Sequence, residues 1–137
     1  MLTILELPGH LIRRAHQIST AVFAEKVGAA GFDLTPMQFG ALTAIKAEPG
    51  LDQATLAERI ACDRVTIGGV IDRLQSKDLV RRTVSETDRR ARALSLTDEG
   101  ITLLHEVTPV VRALQADIVA NLTHEERDLL VVLLKKF

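Results

Sequence analysis

Apolar residues return at helical intervals along most of this chain, and one short stretch changes to a period of two. Ile67, Val70, Ile71 and Leu74 give one face of a helix that starts after Asp63, a residue type suited to accept the orphan N–H groups of a first turn. Residues 79–84 have strand composition, and Arg92, Leu94 and Leu96 alternate on one face of a second strand. Between them, residues 85–90 are turn formers ending in two adjacent arginines. Upstream, Asp52 caps a short helix through Ile60, with Leu56 and Ile60 inward, and Ala61-Cys62-Asp63 forms the turn into the next helix. Two helices joined by so short a turn, followed by a hairpin with an arginine tip, have the layout of a winged helix-turn-helix.

The flanking segments are helical. Pro8-Gly9 makes an entry turn, a helix over 10–30 carries the apolar stripe Leu11, Ala15, Ile18 and Val22, and Gly28 and Gly31 are expected to fray its end. Thr35 and Gln38 have capping-box spacing, Pro36 sits at the first helical position, and Phe39, Leu42 and Ile45 face inward until Pro49-Gly50 ends the segment. Thr97 caps a long helix to about Asn121. Its residues Leu104, Val107, Val111, Leu114 and Ile118 step by three and four, and Pro109 should kink it. A last helix opens at Thr123 or His124, and its residues 129–134 are apolar around nearly the whole circumference. A helix that apolar cannot face water. The expected home is a subunit interface that includes Ile12, Leu114, Leu130 and Leu133. The predicted architecture is one mainly α domain with a small β-hairpin wing. A winged helix-turn-helix lobe over 35–100 is flanked by N- and C-terminal dimerisation helices in 1–34 and 101–137.

Length and charge sharpen this picture. A chain of 137 residues supports one modest core, and 47% hydrophobic content is high for that size, which again points to burial between subunits. From Arg64 to Arg92, eight arginines and lysines face four acids, a net +4 on a chain whose total is −1, so the remainder carries −5. A basic segment on an otherwise acidic protein suggests one surface aimed at a polyanion. The single cysteine, Cys62, excludes an internal disulfide framework and reads as a small buried hydrophobe. No apolar run approaches the length of a bilayer span and no signal peptide precedes the first helix, so the cytoplasm is the expected compartment. With no phosphate loop, nucleophile elbow or Cys/His metal spacing, neither an enzyme, a cofactor nor a metal site is expected.

The polar face of the 64–77 helix offers Arg64, Thr66, Gly68, Gly69, Asp72 and Arg73. Two glycines inside a helix cost about 1 kcal/mol each against alanine. Bare backbone there suits either the close approach of another molecule or crowding against a neighbouring helix. On a duplex, Arg64, Thr66 and the Gly68-Gly69 backbone would lie nearest the base edges of the major groove, with Arg73 and Lys77 placed for phosphates. A second stripe, His10, Arg13, Arg14 and Gln17, runs along the first helix at i, i+3, i+4 and i+7. It could offer cationic donors to a carboxylate, or its arginine stems could cover a subunit boundary.

The run from Asp88 to Gly100 resembles the wing signature of MarR-family transcription regulators: D-x-R, a strand, then L-T-x-x-G. Leu56-Ala57-Glu58-Arg59-Ile60, Val70-Ile71-Asp72-Arg73-Leu74 and Asp78-Leu79-Val80 match that family's helix-turn-helix, and the resemblance covers essentially the full length. Asp78 departs from the pattern, since many members carry glycine there. The resemblance implies that Arg90 enters the minor groove, with Asp88 bracing the wing and Arg89 as a second contact. It implies an aromatic acid bound between the dimerisation helices and the DNA-binding lobe. Gly9-His10-x-x-Arg13-Arg14 is similar to members that respond to such compounds, and Met37, Phe39 and His105 would line the same cavity. The expected partners are a pseudo-palindromic DNA duplex, a second copy of the chain and a small aromatic carboxylate. Two alternatives stay open: a DNA-binding regulator without an effector, and a helical interaction module that does not touch DNA.

Overall fold

The structure, a computed structural model, describes residues 1–84 and 92–137. A 3-10 turn over Ile4–Glu6 leads into α1 (Pro8–Ala29), which starts two residues earlier than the apolar stripe suggests because Pro8 takes the first-turn position. There follow α2 (Pro36–Ala47), α3 (Gln53–Arg59), α4 (Arg64–Ser76), β1 (Val80–Val84), β2 (Arg92–Leu96), α5 (Asp98–Ile118) and α6 (His124–Leu134). The starts are capped as the sequence indicates. Thr35/Gln38 and Thr123/Glu126 form complete capping boxes, while Asp52, Asp63 and Thr97 each accept the N–H three residues on.

Three helix ends share one device. After α1, α3 and α4 the chain passes through a left-handed residue, Gly31 (φ 88°), Ala61 (φ 53°) and Asp78 (φ 59°). In each the next N–H returns to the helix: Phe32 to Val27 O, Cys62 to Ala57 O, Leu79 to Leu74 O. Gly31 therefore terminates α1 with a formed cap, where fraying was expected. The hairpin is antiparallel, with Val80 opposite Leu96, Arg82 opposite Leu94 and Val84 opposite Arg92. Its β2 edge exchanges two further bonds with the link before α3, Gly50 N–H to Leu94 O at 2.8 Å and Leu94 N–H to Leu51 O at 3.0 Å.

The core joins Leu42 and Ile45 of α2, Leu56 of α3, Ile67, Ile71 and Leu74 of α4, Leu94 of β2 and Leu104, Val107 and Leu114 of α5. From α1 it takes only Phe23 and Val27. The stripe Leu11, Ala15 and Ile18 stays exposed and Val22 is half-buried, so this apolar face has its own chain's core beside it only near the C-terminal end. Leu114 goes the other way: expected at a subunit interface, it is sealed inside the chain. The α5 helix ends at Ile118, three residues short of Asn121, and runs through Pro109 as one element.

Candidate nucleic-acid interface and effector cleft

The start of α4 is set by Asp63. Its carboxylate accepts the Thr66 N–H at 2.8 Å and the Thr66 hydroxyl at 2.9 Å, and these bonds hold it below the usual carboxylate range. Thr66 thus spends its hydroxyl proton on the cap. Beside it Arg64 is exposed and Val65 is 93% exposed, an apolar side chain left open among the described residues. In the turn before the helix, burial and then the neighbouring Asp63 charge push the Cys62 thiol up.

The two glycines are not crowded. A Cβ at Gly68 would meet only the Gln53 side-chain nitrogen at 3.5 Å, and one at Gly69 only the Arg73 guanidinium at 3.5 Å, both ordinary contacts. Close packing against a neighbouring helix therefore does not account for them. Arg73 folds back along its own helix over Gly69 and makes no ion pair among the described residues.

Arg82 and Lys77 are committed within the chain. Arg82 lies on the hairpin face that also carries Val80 and Leu94, and its Nη2 donates to Gln53 Oε1 and Asp72 Oδ1, each at 3.3 Å. One guanidinium thereby ties the hairpin to α3 and α4. Lys77 Nζ donates to Asp33 O at 2.8 Å and lies 3.4 Å from Asp33 Oδ2 and 3.5 Å from Gln38 Oε1. An ammonium has three donors, and these three oxygens meet them. Within the chain these oxygens, rather than open solvent, are what the Lys77 ammonium meets. Asp88, Arg89 and Arg90 lie outside the described residues.

Of the seven residues expected around an effector, Phe39 lines the α2–α5 cleft, and His10 and Arg13 meet on α1. His10 is half-buried and its Nδ1 accepts from Arg13 Nη2 at 3.4 Å, whereas Arg14 and Gln17 are exposed farther along α1. Met37 packs half-buried against the core and His105 projects from α5. Only Phe39, tilted against Phe23 with ring centres 6.2 Å apart, lines the main cleft. This cleft, of about 620 Å³, runs between α2 and α5 past Phe39, Leu104 and Val111, with Lys46 and Arg112 on its lining. Sequence reasoning missed both cations. Their signal was available: Lys46 follows Phe39 by seven residues on α2, and Arg112 follows Leu104 by eight on α5, so each returns to the face of its apolar neighbour.

A sequence model of the MarR family matches residues 32–91. The HTH-type transcriptional repressor NicR of Pseudomonas putida is 34% identical over 133 residues, 97% of this chain and 83% of its own length. This chain belongs to the MarR family. It shares with solved MarR-type proteins the six-helix winged helix-turn-helix fold. PcaV of Streptomyces coelicolor in complex with its natural ligand superposes with a TM-score of 0.90 at 31% identity, covering 99% of this chain and 94% of PcaV. BpsR of Bordetella bronchiseptica, whose DNA binding is regulated by 6-hydroxynicotinic acid, superposes at 0.91 with 30% identity, covering 99% and 96%. The chain is thus a transcriptional regulator of the MarR type, and none of its helices among the described residues is long and apolar enough to cross a membrane.

For a MarR-type wing the L-T-x-x-G motif has a steric and hydrogen-bonding cause here. The Thr97 hydroxyl caps α5 and also bonds Asp78 O, while a Cβ on Gly100 would run into the Leu79 carbonyl. The motif fastens the returning strand to the end of α4.

Proposed function

We propose that this chain is a homodimeric repressor that binds a two-fold operator and releases it when a small aromatic acid binds. The observation that carries the DNA reading is the uncrowded first half of α4. Exposed Arg64 and Val65 stand ahead of bare backbone at Gly68 and Gly69, beside a hairpin leading to Asp88-Arg89-Arg90. In this reading Arg64, Thr66, Gly68 and Gly69 lie nearest the bases, Arg73 reaches a phosphate, and Arg90 enters the minor groove with Asp88 and Arg89 supporting it. Lobe 35–100 carries this surface, and the segments 1–34 and 101–137 supply the dimer.

The effector reading rests on the α2–α5 cleft, where the Phe39, Leu104 and Val111 walls suit an aromatic ring and Lys46 and Arg112 suit its carboxylate. Regulation of BpsR by 6-hydroxynicotinic acid supports this class of ligand. His10, Arg13, Arg14 and Gln17 form a second polar stripe on α1, with Arg13 and Arg14 as its cations. The two recognition helices of a dimer must sit about one DNA turn, roughly 34 Å, apart. A ligand that prefers another spacing by about 1.4 kcal/mol lowers DNA affinity tenfold.

Fluorescence anisotropy on the chain's own upstream region tests both parts. Binding should weaken steeply with salt, and Arg90→Ala should lose about 1–3 kcal/mol with fold and dimer intact. In calorimetry, Arg112→Ala should bind benzoate-like acids about tenfold more weakly than the parent. Equal duplex affinity for Arg90→Ala defeats the wing assignment. Affinity that falls instead in Arg13→Ala or Arg14→Ala moves the effector to α1, and no binding of any acid leaves a regulator without an effector.

A further inference from the structure

Lys77 sits where three parts of the chain meet. It is the C-cap residue of α4, and its Nζ reaches the main-chain oxygen and carboxylate of Asp33, in the link that leaves α1, and Oε1 of Gln38, in the first turn of α2. Gln38 is only 4% exposed, and the same Oε1 accepts the Thr35 N–H at 3.2 Å, so this oxygen is fixed by the capping box before the lysine arrives. The lysine side chain is itself two-thirds covered, at 32% exposure. The other directional bonds at the end of α4, Arg82 on Asp72 and Thr97 on Asp78 O, run to the hairpin and α5, and the buried Leu74 adds apolar contacts without direction. An ammonium held between the Asp33 main-chain oxygen and the fixed Gln38 Oε1 adds a directional tie to the α1–α2 corner, with the exposed Asp33 carboxylate beside it.

We propose that Lys77 is a positioning residue that fixes α4 against the α1–α2 corner and so sets the separation of the two recognition helices in the dimer. This rests on the operator-binding reading above. In that dimer α1 carries the exposed stripe Leu11, Ala15 and Ile18, so its far end at Asp33 is where the dimer core hands its placement to the DNA-binding lobe. Loss of the ammonium leaves every DNA-facing group in place and loosens only the distance between the two copies of α4.

The test uses the palindromic duplex that the parent selects from a random pool, together with versions carrying one base pair more or fewer between the half-sites. Lys77→Met keeps the stem and removes the ammonium. The parent's preference for the selected spacing should shrink about three- to tenfold in the variant, while the dependence of affinity on salt keeps its slope. A lysine on phosphate predicts the reverse, a slope lower by about 0.9 with the spacing preference kept, and that result overturns the proposal, as does no change in either. Gln38→Glu carries the test in the other direction should Lys77→Met not fold. It keeps the capping box, turns the 3.5 Å contact into an ion pair and should sharpen the preference, and an equal or weaker preference overturns the proposal. A parent that selects no duplex ends the operator reading and this one with it, whereas a parent that selects one and a variant that behaves alike end only this one.

Discussion

Ala61 holds a backbone conformation that costs an L-residue about 1–2 kcal/mol, because its Cβ crowds the following carbonyl. Gly31 meets the same geometry without that cost, and Asp78 at a reduced one, since short polar side chains visit this region more readily. Ala61→Gly should therefore raise the free energy of unfolding by about 1 kcal/mol, and Asp78→Gly by less, both read from urea midpoints at unchanged slope. Gly100→Ala should lower it by roughly 1–3 kcal/mol, since the added methyl meets main chain at Leu79 that cannot swing aside. These residues differ in how far the sequence reveals them. Asp78 stands out against the family's glycine, and its φ supplies the reason. Gly100 is visible in a motif but its cause, a carbonyl twenty-one positions earlier, is a contact that local pattern does not contain. Nothing marks an alanine as left-handed, so Ala61 was illegible.

At the scale of elements, the helix starts were the most legible feature, because a capping side chain and the N–H that donates to it lie within four residues. They also set an acid limit. The Thr55, Thr66 and Thr123 main-chain N–H groups hold Asp52, Asp63 and Glu126 below their ordinary values of 3.8, 3.8 and 4.5. Folded, these carboxyls give up protons more readily than they do unfolded, so acid favours the unfolded chain. Their contribution is complete above the unfolded values and is lost as pH falls through 4.5 and 3.8 toward the lower folded ones. Melting temperature should thus fall between roughly pH 5 and pH 3. Asp63→Asn, which keeps a capping oxygen without a titrating proton, should show a shallower decline over that window. The less legible elements were those whose partners lie far off. Helical spacing placed Lys77 beside Arg73 on a polar face, and only the fold brings Asp33 and Gln38 to it.

As a whole molecule the chain is too open for its size. A compact monomer of 15.0 kDa exposes about 7,000 Å², and this chain exposes 9608 Å². The surplus includes Leu11, Ile12 and Ile18 of α1 and Leu129, Val131, Val132, Leu133 and Leu134 of α6, which belong to the two ends of the sequence. We expect sedimentation at low micromolar concentration to give a dimer, and Ile12→Glu combined with Leu133→Glu to give a folded monomer that no longer holds the operator. A folded monomer of the parent would refute this. The apolar periodicity of these helices was plain from the sequence, but not its destination. The same residue types line a chain's own core and a partner's face, which is why Leu114, expected at an interface, lies inside the chain.

The two bonds between Leu94 and the Gly50–Leu51 link bear on a different hazard. A hairpin offers unpaired backbone along both flanks, and in a crowded cell such flanks invite identical chains to stack strand upon strand. Here β2 has β1 on one side and the link on the other, and the remaining flank belongs to β1, which carries Arg81 and Arg82. Sheet growth meets a bonded stretch on one side and charge on the other, so the self-association we expect is left to the helices.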